Sequence, residues 1–178
     1  LATDNVSFTA GQASSATRGN CLGTYETDIE YILPKQRGIH CMARRSRARE
    51  VALQVLFQDD VNAPESPTET RTFLESRLKN RELVEFAASL VAGVRRNRGE
   101  LDELLGTTAV NWSLDRMANT DRNVLRMGAY EILYTDTPGR VAINEAVELA
   151  KRFGAAQSAP FVNGILDRFL EGHSTNDT

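Results

Sequence analysis

The sequence predicts an all-α fold of about seven helices joined by short loops. Three observations carry that expectation. From Ser46 onward, apolar residues recur at three- and four-residue spacing in segment after segment. Those segments are bracketed by residues that start and stop helices. After Met42, no stretch alternates apolar and polar residues between turn signals, as a half-buried strand would. The chain has 178 residues, 41% of them hydrophobic and 25% charged, with a net charge of −3. That length gives one domain room for a sizeable core.

The first helix is expected over about Ser46 to Asp60, where Ala48, Val51, Ala52, Val55 and Leu56 form a stripe that Leu53 and Phe57 widen. Ser66-Pro67-Thr68-Glu69 opens the second: Ser66 can cap, Pro67 suits the first helical position, and Glu69 completes a capping box. Phe73, Leu74 and Leu78 supply its apolar face. The third fits Glu82 to Asn97, through Leu83, Phe86, Ala87, Leu90, Val91 and Val94. Gly93 inside it costs about 1 kcal/mol against alanine, so close packing on another helix is the expected reason for it. A short fourth helix carries Leu101, Leu104 and Leu105, with Gly106 as its stop. Ser113 is read as the cap of a turn holding Leu114 and Met117, with Trp112 docked on the core. Thr120 is read as the cap of a helix from Asp121 to Tyr134, with Val124, Leu125, Gly128, Ala129, Ile132 and Leu133 facing inward. Val141 to Phe153 follows, with Gly154 placed for a left-handed C-cap. Ser158 to Leu170 is last, closed by Gly172.

Residues 1–41 read differently. They are small and polar without a helical period, too poor in apolar surface to offset the entropy of ordering them. Only Thr24 to Leu33 has the pattern to pair as a strand or dock, and Pro34 and Gly38 break it. The segment is read as a disordered extension upstream of a natural start at Met42, with a genuine appended tail as the rival, and 42–178 as the helical domain. Both cysteines, Cys21 and Cys41, and His40 precede Met42, and His173 lies near the end. A disulfide scaffold and a Cys/His metal site are not expected. No run approaches the roughly 18 apolar residues of a membrane span, and no secretory pattern opens the chain, so a cytoplasmic protein is expected.

Nothing in the sequence spells a catalyst or a cofactor site. There is no phosphate-cradling GxxxxGK[ST] or GxGxxG, no GxSxG, and no Cys/His pair. The acidic pairs Asp59-Asp60 and Asp102-Glu103 are expected on solvated helix faces. The densest charge is MARRSRARE, where Arg44, Arg45, Arg47 and Arg49 stand directly before the first apolar stripe. Arginine's planar fork matches phosphate and stacks on bases, and arginines at a helix N-terminus oppose the macrodipole. Together these leave RNA contact open beside the plain alternative of a solvated charged terminus. Arg95, Arg96 and Arg98 sit near a helix C-terminus, where the dipole alone accounts for them. Asn144 and Asn163, each flanked by core-type residues, are expected as buried amides bonded to nearby backbone.

Several segments resemble one family in the right order: ARRSRARE (Ala43 to Glu50), LVAGV (Leu90 to Val94), DRNVLRMGAYEIL (Asp121 to Leu133), VAINEAVELAKRFG (Val141 to Gly154) and FVNGILDRFL (Phe161 to Leu170). They resemble the transcription antitermination factors of the NusB family, over essentially all of Met42 to about Leu170. The resemblance implies a compact two-subdomain helical bundle that catalyses nothing. It implies binding of single-stranded boxA RNA in ribosomal RNA leaders, together with NusE, a protein of the small ribosomal subunit, within an RNA polymerase antitermination complex. It carries RNA contact onto Arg45, Arg47 and Arg49, with Arg44 as an extra, onto Phe161 as a base contact, and onto Gln54. Phe57 and Asp121 are implied at the partner surface. No cofactor is implied. Ser46 departs from the family's continuous arginine run, and AAQSAP before Phe161 lacks the acid, histidine and lysine of the familiar form. A NusB-like module of a ribosomal RNA cytosine methyltransferase and a partner-only interaction protein are the alternatives. Some family members form homodimers, and nothing in the sequence decides that.

Overall fold

Seven α-helices and one 3₁₀ turn make up the residues that the computed structural model describes, 34–109 and 113–174. Thr24 to Leu33 and Trp112, given roles above, lie outside them. Among the described residues there is no strand, as the absence of period-two patterning predicts. No helix among the described residues is long and apolar enough to cross a membrane.

Helix α1 runs Pro34–Val61, starting well before the expected Ser46. Pro34 opens the helix, where its fixed φ and missing N–H cost nothing. The residues after it (Lys, Gln, Arg, Ala and Met) are good helix formers that carry the turn past Gly38. The arginine run therefore lies within a helix and not on a free arm. Helix α2 (Pro67–Arg77) opens on the expected capping box: Ser66 Oγ accepts from the Glu69 N–H, and the Ser66 N–H donates to Glu69 Oε2 at 2.9 Å. Helix α3 (Arg81–Arg96) is capped by Asn80, whose Oδ1 accepts from the Glu82 N–H at 2.7 Å.

Helix α4 (Arg98–Thr108) passes through Gly106 instead of stopping there. Neither expected cap near residue 120 forms. The turn Leu114–Arg116 has no side-chain cap bond from Ser113, and α5 (Asn119–Tyr134) starts before Thr120, with Ala118 at its uncapped N-terminus. Helices α6 (Gly139–Phe153) and α7 (Ser158–Ser174) follow, and Gly172 is internal to α7. Gly154 is extended, at φ −91° and ψ −175°, not left-handed. Glycine is needed there for space: an added Cβ would sit 2.5 Å from Ser158 Cβ and 2.7 Å from the Ala150 carbonyl oxygen.

Helix α5 is the axis of the packing. It touches α3, α4, α6 and α7, while α6 and α7 pack on each other and α2 pairs with α3. Nine consecutive residues of α5, Asn123 to Glu131, are buried, whereas the expected inward pair Ile132 and Leu133 is half-buried. An amphipathic stripe describes a helix on the surface of a core, and α5 is surrounded. The core joins Val51, Leu56, Leu90, Leu105, Leu125 and Phe169 in one cluster. From Lys35 onward the chain is one compact unit.

Gly93 confirms the close approach expected of it. A Cβ there would lie 2.0 Å from Cζ of Tyr130 on α5, a ring only 8% exposed. Gly93→Ala should therefore lower the urea midpoint, with a loss of about 1–3 kcal/mol from overpacking that exceeds alanine's better helix propensity. Gly99→Ala, with nothing within 4 Å of the new Cβ, should raise it slightly. A rise for both would show that α3 and α5 are not in this contact.

Candidate nucleic-acid interface

Arg44, Arg45, Arg47 and Arg49 of α1 meet four different fates. Arg44 is exposed, with no partner among the described residues. Arg45 is exposed, its guanidinium 5.3 Å from the centroid of the Phe86 ring on α3. Arg47 is exposed and pairs with Glu50 at 2.6 Å, one turn along. Arg49 is corrected. It was expected on RNA, but its side chain is 4% exposed and closed on Glu131 of α5, Nε to Oε1 at 2.8 Å and Nη2 to Oε2 at 2.6 Å. Glu145 of α6 adds its charge at 3.4 Å. Burial alone would lower the guanidinium's pKa, but the Glu131 bond and the charges of Glu131 and Glu145 raise it above its ordinary value. Arg49 anchors the helix that presents the others.

The rest of the anchoring was not legible in the sequence. Ser46 Oγ, where the family's run has an arginine, donates to Glu145 Oε1 at 3.0 Å. Glu50 is buried and also receives Arg152 of α6. At the far end of α1 the acidic pair is not solvated. Asp59 takes a bidentate bond from Arg95, at 2.7 Å to each oxygen. Asp60, 1% exposed at its side chain, accepts from Arg98, Arg122, Asn123 and Arg126. Asp102 takes Arg126's other edge at 2.6 and 2.7 Å. Arg95 and Arg98 are thus held by ion pairs. Arg98 lies at the start of α4, where the dipole would oppose it. The local hint was available, since adjacent acids at the end of an apolar stripe have to meet something, but their partners are many residues away.

Gln54 and Phe57 are exposed on α1 and line a groove of about 470 Å³ with Leu53, Val61, Thr120 and Phe153. Phe57 is 43% and Val61 59% exposed, much apolar surface for one hollow. Asp121 and Phe161 come together in a second hollow of about 640 Å³, with Arg116, Met117 and Ser158. There Asp121 Oδ2 accepts from Ser158 Oγ at 2.8 Å, and Ser158 Oγ accepts from the Ala155 N–H at 2.9 Å. Asp121 Oδ1 is buried with no hydrogen-bond partner. Thr120 and Asp121, adjoining residues of α5, line the first and the second hollow respectively. Asn144 and Asn163 are corrected as well. Both are exposed, on the outer faces of α6 and α7, and Asn163 Nδ2 donates to Asp167 Oδ2 at 2.9 Å.

This layout, a basic stretch of α1 followed along the same helix by an apolar groove, occurs on a chain whose residues 46–171 match the model of the NusB family. The chain belongs to the NusB family. It is 47% identical over 131 residues to the transcription antitermination protein NusB of Anaeromyxobacter dehalogenans, covering 73% of this chain and 92% of that one. It is 47% identical over 124 residues to that of Bacillus licheniformis, covering 69% and 93%. Among solved structures it is similar to T. maritima NusB, with a TM-score of 0.65 at 38% identity over 72% of this chain and 92% of that one. It is also similar to a chain from the complex of antitermination factors NusB and NusE with dsRNA, with a TM-score of 0.65 at 31% identity over 74% and 99%. The NusB match covers α2 to α6 and most of α1 and α7, so both hollows and Arg47 lie within it, while Arg44 and Arg45 stand just before its first residue.

Proposed function

We propose that this protein is a transcription antitermination factor of the NusB type. It binds single-stranded boxA RNA of ribosomal RNA leader transcripts together with NusE, promotes read-through by RNA polymerase, and works in the cytoplasm as a binding protein. The reading rests on family membership and on relatives named for antitermination, one of them solved with NusE and RNA. In this chain one observation carries it: Arg44, Arg45 and Arg47 stand exposed together within about one turn of α1, directly before its apolar stripe. Gln54 continues that face, and Phe161 offers a ring to an unstacked base. Phe57 and Asp121 serve the protein partner.

The test is a titration of boxA RNA with and without NusE across a range of salt. Replacing Arg44, Arg45 and Arg47 with alanine should weaken binding. It should also flatten the slope of log affinity against log salt by about 2, since each phosphate contact on a single strand contributes about 0.7. Unchanged affinity in the triple variant would overturn the proposal.

A further inference from the structure

We infer that Phe86 of α3 is a positioning residue that holds Arg45 ready for RNA, an inference that rests on the RNA-binding reading above. The observation is that two arginines of α1 address one ring. The Arg49 guanidinium is 5.1 Å and that of Arg45 5.3 Å from the Phe86 centroid. They differ in every other respect. Arg49 is buried and locked on Glu131, so it cannot move. Arg45 is exposed, and no carboxylate among the described residues closes on it. Phe86 is half-buried and packed against the core, so the ring is a fixed surface for Arg45 to rest on.

Some exposed arginines of this protein are held by carboxylates, as Arg71 is by Glu85 at 2.7 Å and Arg140 by Asp167 at 2.6 Å, whereas Arg77 rests over the Phe73 ring at 5.3 Å, as Arg45 does over Phe86. A carboxylate steadies a guanidinium by using its N–H donors and cancelling its charge. An aromatic face steadies it through the ring quadrupole and leaves the five donors and the charge for another ligand. Among Arg44, Arg45, Arg47 and Arg49, Arg45 is the one held in this second way with its side chain exposed. A side chain already held also has less rotamer freedom to lose when RNA arrives.

The test is a double-mutant cycle on the full chain, read by titration of boxA RNA in the presence of NusE at several salt concentrations. Phe86→Leu keeps an apolar side chain and removes the ring. It should weaken binding about two- to fivefold, the size of an exposed cation–π contact. The salt slope should not change, because Arg45 keeps its charge. Arg45→Ala should weaken binding and flatten the slope by about 0.7. Phe86→Leu added to Arg45→Ala should have no further effect, and Phe86→Tyr should bind like the parent. An equal loss from Phe86→Leu with and without Arg45 would make the ring's role merely structural and overturn the inference. So would no loss in the parent background. If Phe86→Leu does not fold, as judged by its thermal melt, Phe86→Met takes its place in the cycle. Parent-like binding by Arg45→Ala at every salt would overturn the RNA contact of Arg45 itself, and the inference with it. Weakened binding by Arg45→Ala with neutral Phe86→Leu would overturn only the positioning role.

Discussion

Glu131→Ala is expected to remove about 3–5 kcal/mol of stability, a large share of what a domain of this size possesses. The cost comes from what is left behind. Glu131 is 2% exposed at its side chain and Arg49 4%, so the variant buries a guanidinium that has lost both bonds of its fork. Glu145, at 3.4 Å, is the remaining acid, and it already accepts from Ser46. Removing both partners, as in the Arg49→Met, Glu131→Met double variant, should cost far less, because no charge is then stranded. Urea unfolding followed by far-UV circular dichroism measures both. A loss under about 1 kcal/mol for Glu131→Ala would mean that Arg49 is solvated and that α1 is not anchored in this way. The distinction matters for function, since the same variant should weaken RNA binding indirectly, by loosening the helix that carries Arg44, Arg45 and Arg47.

Asp60→Asn should cost about 3 kcal/mol at neutral pH. Asp60 joins three elements: it ties the end of α1 to Arg98 on α4 and to Arg122, Asn123 and Arg126 on α5. The asparagine keeps the shape and loses the charge that faces three guanidinium groups. Burial pushes the Asp60 carboxyl up, but the Arg122 bond, the Arg126 charge, the Asn123 bond and the Arg122 charge outweigh it, leaving it below its ordinary value of 3.8. A carboxyl depressed in the folded state binds its proton more readily when unfolded. Its contribution is therefore complete above the unfolded value and is lost as pH falls through the lower, folded one. The gap between parent and Asp60→Asn should be wide at neutral pH and should narrow on acidification below 3.8. Urea midpoints measured along that pH series check it. A gap that stays constant into acid would show that the Asp60 charge does not hold the network.

Much of the bundle was legible because helix signals are local. The capping box at Ser66 and Glu69, the apolar face of α3 and the tight place at Gly93 each follow from residues a few positions apart. The misses are of two kinds. Where competing local signals are nearly balanced, a helix's end was not legible: α1 extends back to Pro34, and α4 runs on through Gly106. Where a polar residue's fate depends on a distant partner, local reading had no purchase. Asp60 looked solvated and is buried, while Asn144 and Asn163 looked buried and are exposed. Of the residues named for RNA, Arg44, Arg45, Arg47 and Gln54 stand exposed and Phe161 lines a hollow, but Arg49 does not reach solvent.

By itself, the sequence determined that this protein is a helical NusB-family bundle with its densest positive charge directly before the apolar stripe of the first helix. Period, caps and motif order are all properties of neighbours along the chain. Only the tertiary structure decided which of those arginines are available. Arg47 and Arg49 are two residues apart, yet one faces solvent and the other meets Glu131, 82 residues further on. A turn of 100° per residue points them in different directions, and what lies in each direction is set by how α5 and α6 pack. In the same way, Phe86 reads in the sequence as one more core residue of α3, and the fold places it beneath Arg45.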